Sequence, residues 1–241
     1  MPRPQNDVRA GLDVREGKCH IFAAAGVFMY EQTNIGGDMA STARVPEAEI
    51  TGIYGGLLKM GMRKMIGEVP ESAGVMWQNP RVFKDMLGFG RKVEKWGQID
   101  PLLGTLAAMA AASQIGCSFC LDFHYFLAHD KSLDETKARE VPRWRESKVF
   151  TSLERQVMEY AEAVSQTPPA VTDELSAELL EQLGAPALLE LTAKVGVMNL
   201  TARTNVALGI RSQEFAASCG LPPLASRSAD VGQSADVGSS A

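Results

Sequence analysis

A run of apolar residues with no polar face, residues 102–112, constrains the fold of this chain more than any other segment. The run is too short to cross a bilayer, which takes about 20 consecutive apolar residues. On a helix its side chains would point in all directions, so neighbouring elements must cover that helix on every side. Residues 102–112 therefore predict a helix that lies inside the core of a globular protein.

Other segments carry the start signals of helices. Asn79 and Pro80 combine a capping side chain with a first-turn proline, and apolar residues continue at three-and-four spacing as far as Trp96. Thr151 and Glu154 have the spacing of a capping box, in which the two residues bond each other's backbone. These signals predict helices that begin directly after Asn79 and Thr151.

The second half of the chain continues the helical pattern. Thr172 can cap a helix that ends at Gly184, and Pro186 opens a longer helix. No alternating pattern of the kind that predicts β-strands accompanies these segments. We therefore predict an all-α fold with a single domain over residues 44–225.

Both ends of the chain are poor in the apolar residues that a folded segment buries. The pentapeptide Ser-Ala-Asp-Val-Gly occurs at residues 228–232 and again at 234–238, so we predict a disordered, low-complexity tail over residues 226–241. Residues 1–43 show no sustained period, and the sequence from Met39 onward is typical of a protein start. We interpret residues 1–43 as disordered or as a mis-assigned N-terminal extension.

The charge and the cysteine content narrow the class of protein. Over 241 residues the net charge is −5 and no basic cluster stands out, which argues against nucleic acid or a membrane surface as a partner. The four cysteines, at positions 19, 117, 120 and 219, are too few for a disulfide-stapled secreted domain. We therefore predict a cytoplasmic protein, in which thiols spaced as Cys-x-x-Cys are typically catalytic or metal-binding.

The chemically distinctive cluster is Cys117-Ser-Phe-Cys120-Leu-Asp-Phe-His124. Residues four and seven apart share one face of a helix, so a helix that starts near Gly116 places both thiols and the imidazole on one side. A helix start stabilises a thiolate, and His124 can accept the thiol proton or hold a compensating positive charge. Such a thiolate can attack a peroxide to give a sulfenic acid. The second thiol converts that acid to a disulfide, which an external reductant must then reduce.

Two other interpretations use the same residues. A zinc site would need a fourth ligand beside the two thiols and the imidazole, taken from His20, His129, Cys19 or Cys219. A purely structural cluster would consist of two small, soft side chains packed beside a hydrogen-bonded histidine. Haem attachment is excluded, because its Cys-x-x-Cys-His motif has histidine where this chain has Leu121. We favour the redox interpretation, with no metal and no cofactor.

The sequence around the two thiols resembles a known family. Gly-Cys-Ser-Phe-Cys-x-x-x-His after an alanine-rich apolar helix is similar to the signature of the carboxymuconolactone decarboxylase superfamily, in its alkylhydroperoxidase D-like branch. Residues 43–46, 168–175 and 199–209 also resemble family segments, so the resemblance covers about residues 43–212. Decarboxylases that share the superfamily name lack this dithiol, which argues against lactone decarboxylation.

The resemblance implies a small all-helical, alkylhydroperoxidase D-like fold that assembles as a homotrimer or hexamer. Cys117, Cys120 and His124 match the family's two redox cysteines and its histidine, and we take them as the candidate catalytic residues. The family usually has a glutamate twelve residues before the first cysteine, as part of a proton relay, and this chain has Thr105 there. A threonine hydroxyl can hydrogen-bond but cannot accept a proton near neutral pH.

The sequence leads to one functional hypothesis and two alternatives. The leading hypothesis is a thiol-dependent peroxidase that reduces hydrogen peroxide or organic hydroperoxides, with a thiol reductant or redox partner protein as electron donor. The helix start favours Cys117 as the attacking thiol and closeness to the histidine favours Cys120; the sequence leaves both open, and we lean to Cys120. The alternatives are a dithiol reductase of a partner protein's disulfide and a non-catalytic oligomeric binding protein. Asn199 and Arg203, one helical turn apart, are further candidates to reach the site or a subunit contact.

Overall fold

The computed structural model describes residues 43–226, and these residues form α-helices and no β-strand. The all-α prediction is confirmed for this part of the chain. The predictions for residues 1–42 and 227–241 lie outside the described residues, and the single-domain prediction stays a prediction. The helices are α1 (Gly52–Ile66), α2 (Glu71–Met76), α3 (Pro80–Val93), α4 (Pro101–Ile115), α5 (Ser118–Asp130), α6 (Glu135–Glu140), α7 (Ser152–Ser165), α8 (Asp173–Leu183), α9 (Ala185–Leu208) and α10 (Phe215–Ser218).

Helix α4 lies at the centre of the main hydrophobic core, as its uniformly apolar sequence predicts. Its residues from Leu106 to Ala112 are at most 8% exposed, and α5, α7 and α9 pack around it. Most of these side chains are alanines, which let the neighbouring helices approach closely. The helix that the apolar run predicts is therefore confirmed, together with its burial on all sides.

The start signals in the sequence coincide with the observed helix starts. The Asn79 side chain accepts a hydrogen bond from the Val82 amide at 3.3 Å, at the start of α3. Thr151 and Glu154 make both bonds of the capping box, at 3.3 and 2.8 Å, at the start of α7. Thr172 likewise caps α8, and α9 has a proline in its first turn. Local capping chemistry thus fixes where these helices begin.

The first described residues anchor the far end of α9. The Arg44 guanidinium donates hydrogen bonds to the carbonyls of Val206 and Ala207 at 3.0 and 2.7 Å, and the Arg44 amide donates to the Leu208 carbonyl at 2.8 Å. The last carbonyls of a helix have no partner within the helix, so these bonds satisfy groups that would otherwise need water. Among residues 43–226, no helix combines the length and the apolar character needed to span a membrane.

Candidate active site

A single left-handed residue joins the central helix to the cysteine motif. Helix α4 ends at Ile115, and the φ of 83° at its capping residue Gly116 is a conformation that glycine adopts without the strain a side chain would bring. The amide of the next residue, Cys117, turns back to donate to the Ala112 carbonyl at 2.9 Å. This closure holds Cys117 directly against the end of the core helix.

Cys117 is the capping residue of α5. Its Sγ accepts a hydrogen bond from the Cys120 amide at 3.2 Å, in the place where a capping oxygen accepts one in many helices. The amides and the dipole of a helix start favour negative charge, so this position stabilises a thiolate. The helix start predicted near Gly116 is confirmed, with α5 beginning at Ser118.

Cys117 and Cys120 are joined by a disulfide, and their Cα atoms are 5.4 Å apart. The two residues are 1% and 2% exposed. With so little of either residue open to solvent, a reactant reaches the sulfurs only if it is small or if the surrounding helices open. The structure therefore brings the two predicted thiols together in a protected position.

His124 lies one turn beyond Cys120 on α5 and is half-buried. Its Nδ1 is 3.0 Å from the Cys120 carbonyl oxygen. A carbonyl only accepts, so Nδ1–H is the donor and Nε2 of the neutral ring is the basic nitrogen. Burial lowers the pKa of His124, and the bond to Cys120 and the charge of Glu94 oppose that shift only in part. The imidazole is therefore neutral at neutral pH and can act as a base.

The charged neighbours of His124 come from outside the motif. Glu94, directly after α3, forms an ion pair with Lys131, directly after α5. Partial burial acts to raise the pKa of Glu94, but the hydrogen bond and charge of Lys131, with smaller contributions from His124 and Lys194, hold it below its ordinary value. No pattern in the sequence indicates this pair, because only the fold brings its two helices together.

Position 105, where the family usually has a glutamate, supplies no proton acceptor. The Thr105 hydroxyl donates to the Pro101 carbonyl at 2.8 Å, one turn earlier in α4. The hydroxyl hydrogen of Thr105 is thus bonded to a carbonyl of the same helix. Among the described residues, Glu94 is the carboxylate whose charge raises the pKa of His124.

Asn199 and Arg203 bond to the end of α7 rather than to the cysteine motif. Asn199 Nδ2 donates to Ser165 Oγ at 2.8 Å, and Arg203 donates to the Ser165 carbonyl at 2.7 Å. Arg203 also donates to Thr167 Oγ1 at 3.1 Å. These bonds hold α9 to the end of α7 within the single chain, and a subunit contact through Asn199 or Arg203 stays a prediction.

The residue of α9 that reaches the sulfurs is Asn205, which we did not predict. It is 6% exposed, and its Nδ2 lies 3.4 Å from Cys120 Sγ and 4.0 Å from Cys117 Sγ. The sequence does contain a signal for it. Met198, Ala202 and Asn205 follow the spacing of one helix face, so a polar residue continues a buried apolar row and needs a buried partner.

The described residues contain no group of three or more His, Cys, Asp and Glu side chains that could hold a metal ion. His129, one of the possible zinc ligands, is instead hydrogen-bonded to Glu135 Oε1 at 2.6 Å. The His124 imidazole bonds the Cys120 carbonyl oxygen, and the Asn205 amide lies beside the Cys120 sulfur.

Known proteins share the sequence that carries this geometry. The model of the carboxymuconolactone decarboxylase family matches residues 80–163, which include the whole cysteine–histidine motif. The uncharacterized protein YnjA of Escherichia coli (strain K12) is 39% identical over 119 residues, which make up 49% of this chain and 65% of YnjA. The match therefore spans somewhat less than two thirds of that relative's length.

Solved structures share the fold. An uncharacterized peroxidase-related protein from Ralstonia eutropha JMP134, described as an alkylhydroperoxidase AhpD core, aligns with a TM-score of 0.65 at 17% identity, over 76% of this chain and 99% of that chain. The debrominase Bmp8 aligns with a TM-score of 0.59 at 21% identity, over 68% of this chain and 88% of that chain. At these identities the likeness establishes the fold alone. Residues 80–163 therefore match the carboxymuconolactone decarboxylase family, and the described helices share the fold of an alkylhydroperoxidase AhpD core.

Proposed function

We propose that this chain is a thiol-dependent peroxidase that reduces hydrogen peroxide or organic hydroperoxides. The observation that carries the proposal is the buried Cys117–Cys120 disulfide at the start of α5, with the His124 imidazole one turn further along. Two thiols that become this disulfide release the two electrons that cleave one peroxide bond. The match of residues 80–163 to the carboxymuconolactone decarboxylase family supports an oxidoreductase.

The reaction begins at the Cys120 thiol. Its proton passes to His124, and the thiolate attacks one peroxide oxygen, so that an S–O bond forms while the O–O bond breaks. The leaving oxygen takes up that proton and departs as water or an alcohol. The Cys117 thiol then attacks the sulfenic sulfur, the disulfide forms, and the second oxygen leaves as water. A dithiol reductant, itself oxidised to a disulfide, returns two electrons and two protons.

The contacts of the two sulfurs favour Cys120 as the attacking thiol. The Cys120 carbonyl holds the His124 ring, and the Cys120 sulfur is the nearer of the two to Asn205 Nδ2. Cys117 instead caps α5 through its sulfur. We therefore assign Cys117 as the resolving thiol.

Two alternatives use the same fold. A dithiol reductase of a partner protein's disulfide would need exposed sulfurs, and exposed fractions of 1% and 2% favour a small oxidant instead. A non-catalytic binding protein is favoured by Thr105, which leaves the family's relay without its carboxylate. The charge of Glu94, directly after α3, raises the pKa of His124 and supports catalysis in spite of that replacement.

We also propose that copies of the chain associate, as a homotrimer or hexamer, in the cytoplasm. Large apolar side chains on α1 and α9 are exposed in the single chain, among them Ile53 (89%), Leu189 (72%) and Met60 (63%). Burial of such surface between subunits is favourable by about 25 cal/mol per Å². Light scattering at micromolar concentration should give three or six times the mass of one chain, and a monomeric mass would contradict the proposal.

Peroxide should act selectively on the motif thiols. With reduced protein, sub-stoichiometric hydrogen peroxide should convert Cys117 and Cys120 to their disulfide, as peptide mass spectrometry would show. Cys117→Ser should stop at a sulfenic acid on Cys120, which a dimedone reagent traps, because the resolving thiol is missing. Cys120→Ser should give no such adduct, and both variants should lose turnover. Thiols that stay reduced in the wild-type chain would rule out the peroxidase.

Removal of the imidazole should slow the chemistry without unfolding the chain. His124→Gln cannot accept a proton and should lower the rate of thiol oxidation by about 10²–10⁴-fold, the usual contribution of a general base. His129→Gln is the matched control on the same helix, because its ring bonds Glu135 and not the motif. The control should keep the wild-type rate, and an equal loss in both variants would count against a catalytic His124.

The pH profile gives a second test of His124. Burial lowers the pKa of this imidazole below the ordinary value of 6.5, so the base stays unprotonated as the pH falls through 6.5. The wild-type rate should therefore decline only at lower pH, where the ring becomes charged. This decline of the rate at acid pH should vanish in His124→Gln. A decline that persists unchanged in the variant would show that another group titrates.

A further inference from the structure

Asn205 is a polar side chain in a buried, apolar position. It is 6% exposed, and Met198 and Ala202, which precede it on the same face of α9, are 6% and 0% exposed. A buried amide group without a hydrogen-bond partner is strongly unfavourable, so native structures nearly always provide one. The partner of the Asn205 amide therefore indicates what this residue does.

The Nδ2 group of Asn205 meets the two sulfurs of the motif. It lies 3.4 Å from Cys120 Sγ and 4.0 Å from Cys117 Sγ. A neutral sulfur accepts hydrogen bonds weakly, whereas a thiolate bears a full negative charge and accepts them strongly. The same contact is therefore stronger in the reduced, ionised site than in the disulfide.

We propose that Asn205 is a sulfur-binding residue of the redox site, whose amide stabilises the Cys120 thiolate relative to both the thiol and the disulfide. This inference rests on the proposed function in one respect, because both require a reactive thiolate at Cys120. It adds a residue of α9, far from the motif in the sequence, to the groups that touch the reacting sulfur.

Hydrogen bonds at the end of α9 fix the backbone that carries the Asn205 side chain. The Ile210 amide donates to the Asn205 carbonyl at 2.9 Å and closes the helix end over the left-handed Gly209. The Arg44 guanidinium bonds the two carbonyls that follow. A side-chain donor carried on a fixed backbone needs less reorganisation when negative charge develops on the sulfur.

The charged groups on the neighbouring elements have other partners, so we assign the stabilisation of the Cys120 thiolate to Asn205. On α5, His124 is neutral at neutral pH, and the carboxylate of Asp122 accepts hydrogen bonds from backbone amides of α10. Glu94 and Lys131 pair with each other, and Arg44 caps α9. Burial in apolar surroundings makes a thiolate unfavourable, so a fixed donor at Cys120 Sγ opposes that effect.

Two substitutions that keep the size of the side chain test the inference. Asn205→Leu removes the donor, and Asn205→Asp places a negative oxygen beside the sulfur. Alkylation of reduced Cys120 across pH, followed by peptide mass spectrometry, reports its ionisation. Asn205→Leu should move the equilibrium toward the thiol by about tenfold, and Asn205→Asp should move it further. Asn199→Leu, whose native amide bonds Ser165, is the matched control and should titrate like the wild type.

The midpoint potential of the disulfide gives a second test, because a change in packing alone would not shift this potential with the same dependence on pH. Loss of thiolate stabilisation makes the disulfide harder to reduce, by about 30 mV for a tenfold change in a two-electron couple. The difference between the wild type and Asn205→Leu should be largest above the pKa of the thiol. It should shrink at lower pH, where the reduced pair is protonated.

Wild-type titration and potential in both Asn205 variants would overturn the inference, and so would an equal change in Asn199→Leu. If Asn205→Leu does not fold by circular dichroism, Asn205→Asp decides the question alone. Neither measurement uses peroxide. A chain that fails to consume peroxide but shows the shifted titration in its Asn205 variants would therefore lose the proposed function and keep the role of Asn205.

Discussion

Burial of α4 on every side is the constraint on which the other helices depend. Leu106 and Met109 are fully buried, and the alanines between and after them let α7 and α9 pack closely. Because α4 ends at Ile115 and α5 begins at Ser118, the first turn of α5 is fixed to the same core. The cysteine pair therefore lies at the edge of the core and not on an independent loop.

The chemistry of the site follows from this burial. Removal from water makes a thiolate unfavourable, and the same removal lowers the pKa of His124 and keeps the imidazole in its basic form. The start of α5 provides a donor to the Cys117 sulfur, and the amide of Asn205 provides one to the Cys120 sulfur. In the proposed peroxidase, such burial would keep bulky reactants from the thiols while the neutral imidazole of His124 could take a proton.

The sequence predicts the parts of this structure that depend on local patterns. Capping residues such as Asn79 and Thr151 mark helix starts because their side chains bond amides only two or three positions away. The first helices were harder to predict. Ile53 and Met60 of α1 are exposed, while Leu58 and Ile66 on the same helix are buried, so its apolar residues do not by themselves mark the buried face.

The candidate site likewise combines residues that local spacing predicts with residues that only the packing of helices brings in. The spacing of Cys117, Cys120 and His124 along one helix is enough to predict that they lie together. Asn205 comes from α9 and Glu94 from the end of α3. The contact of Asn205 with the sulfur and the effect of the Glu94 charge on the pKa of His124 depend on how whole helices pack. The sequence alone shows that a polar residue, Asn205, lies on the buried face of α9. It does not show which group the side chain of that residue bonds.

Steady-state consumption of hydrogen peroxide in the presence of a small dithiol tests most directly whether the Cys117–Cys120 pair is a catalyst. The wild-type chain should consume many equivalents of peroxide per chain, at a rate proportional to its concentration, with one dithiol oxidised for each peroxide. Cys120→Ser should reduce that rate to the background of dithiol alone. Consumption that stops at one equivalent per chain, or that continues unchanged in Cys120→Ser, would contradict a catalytic dithiol.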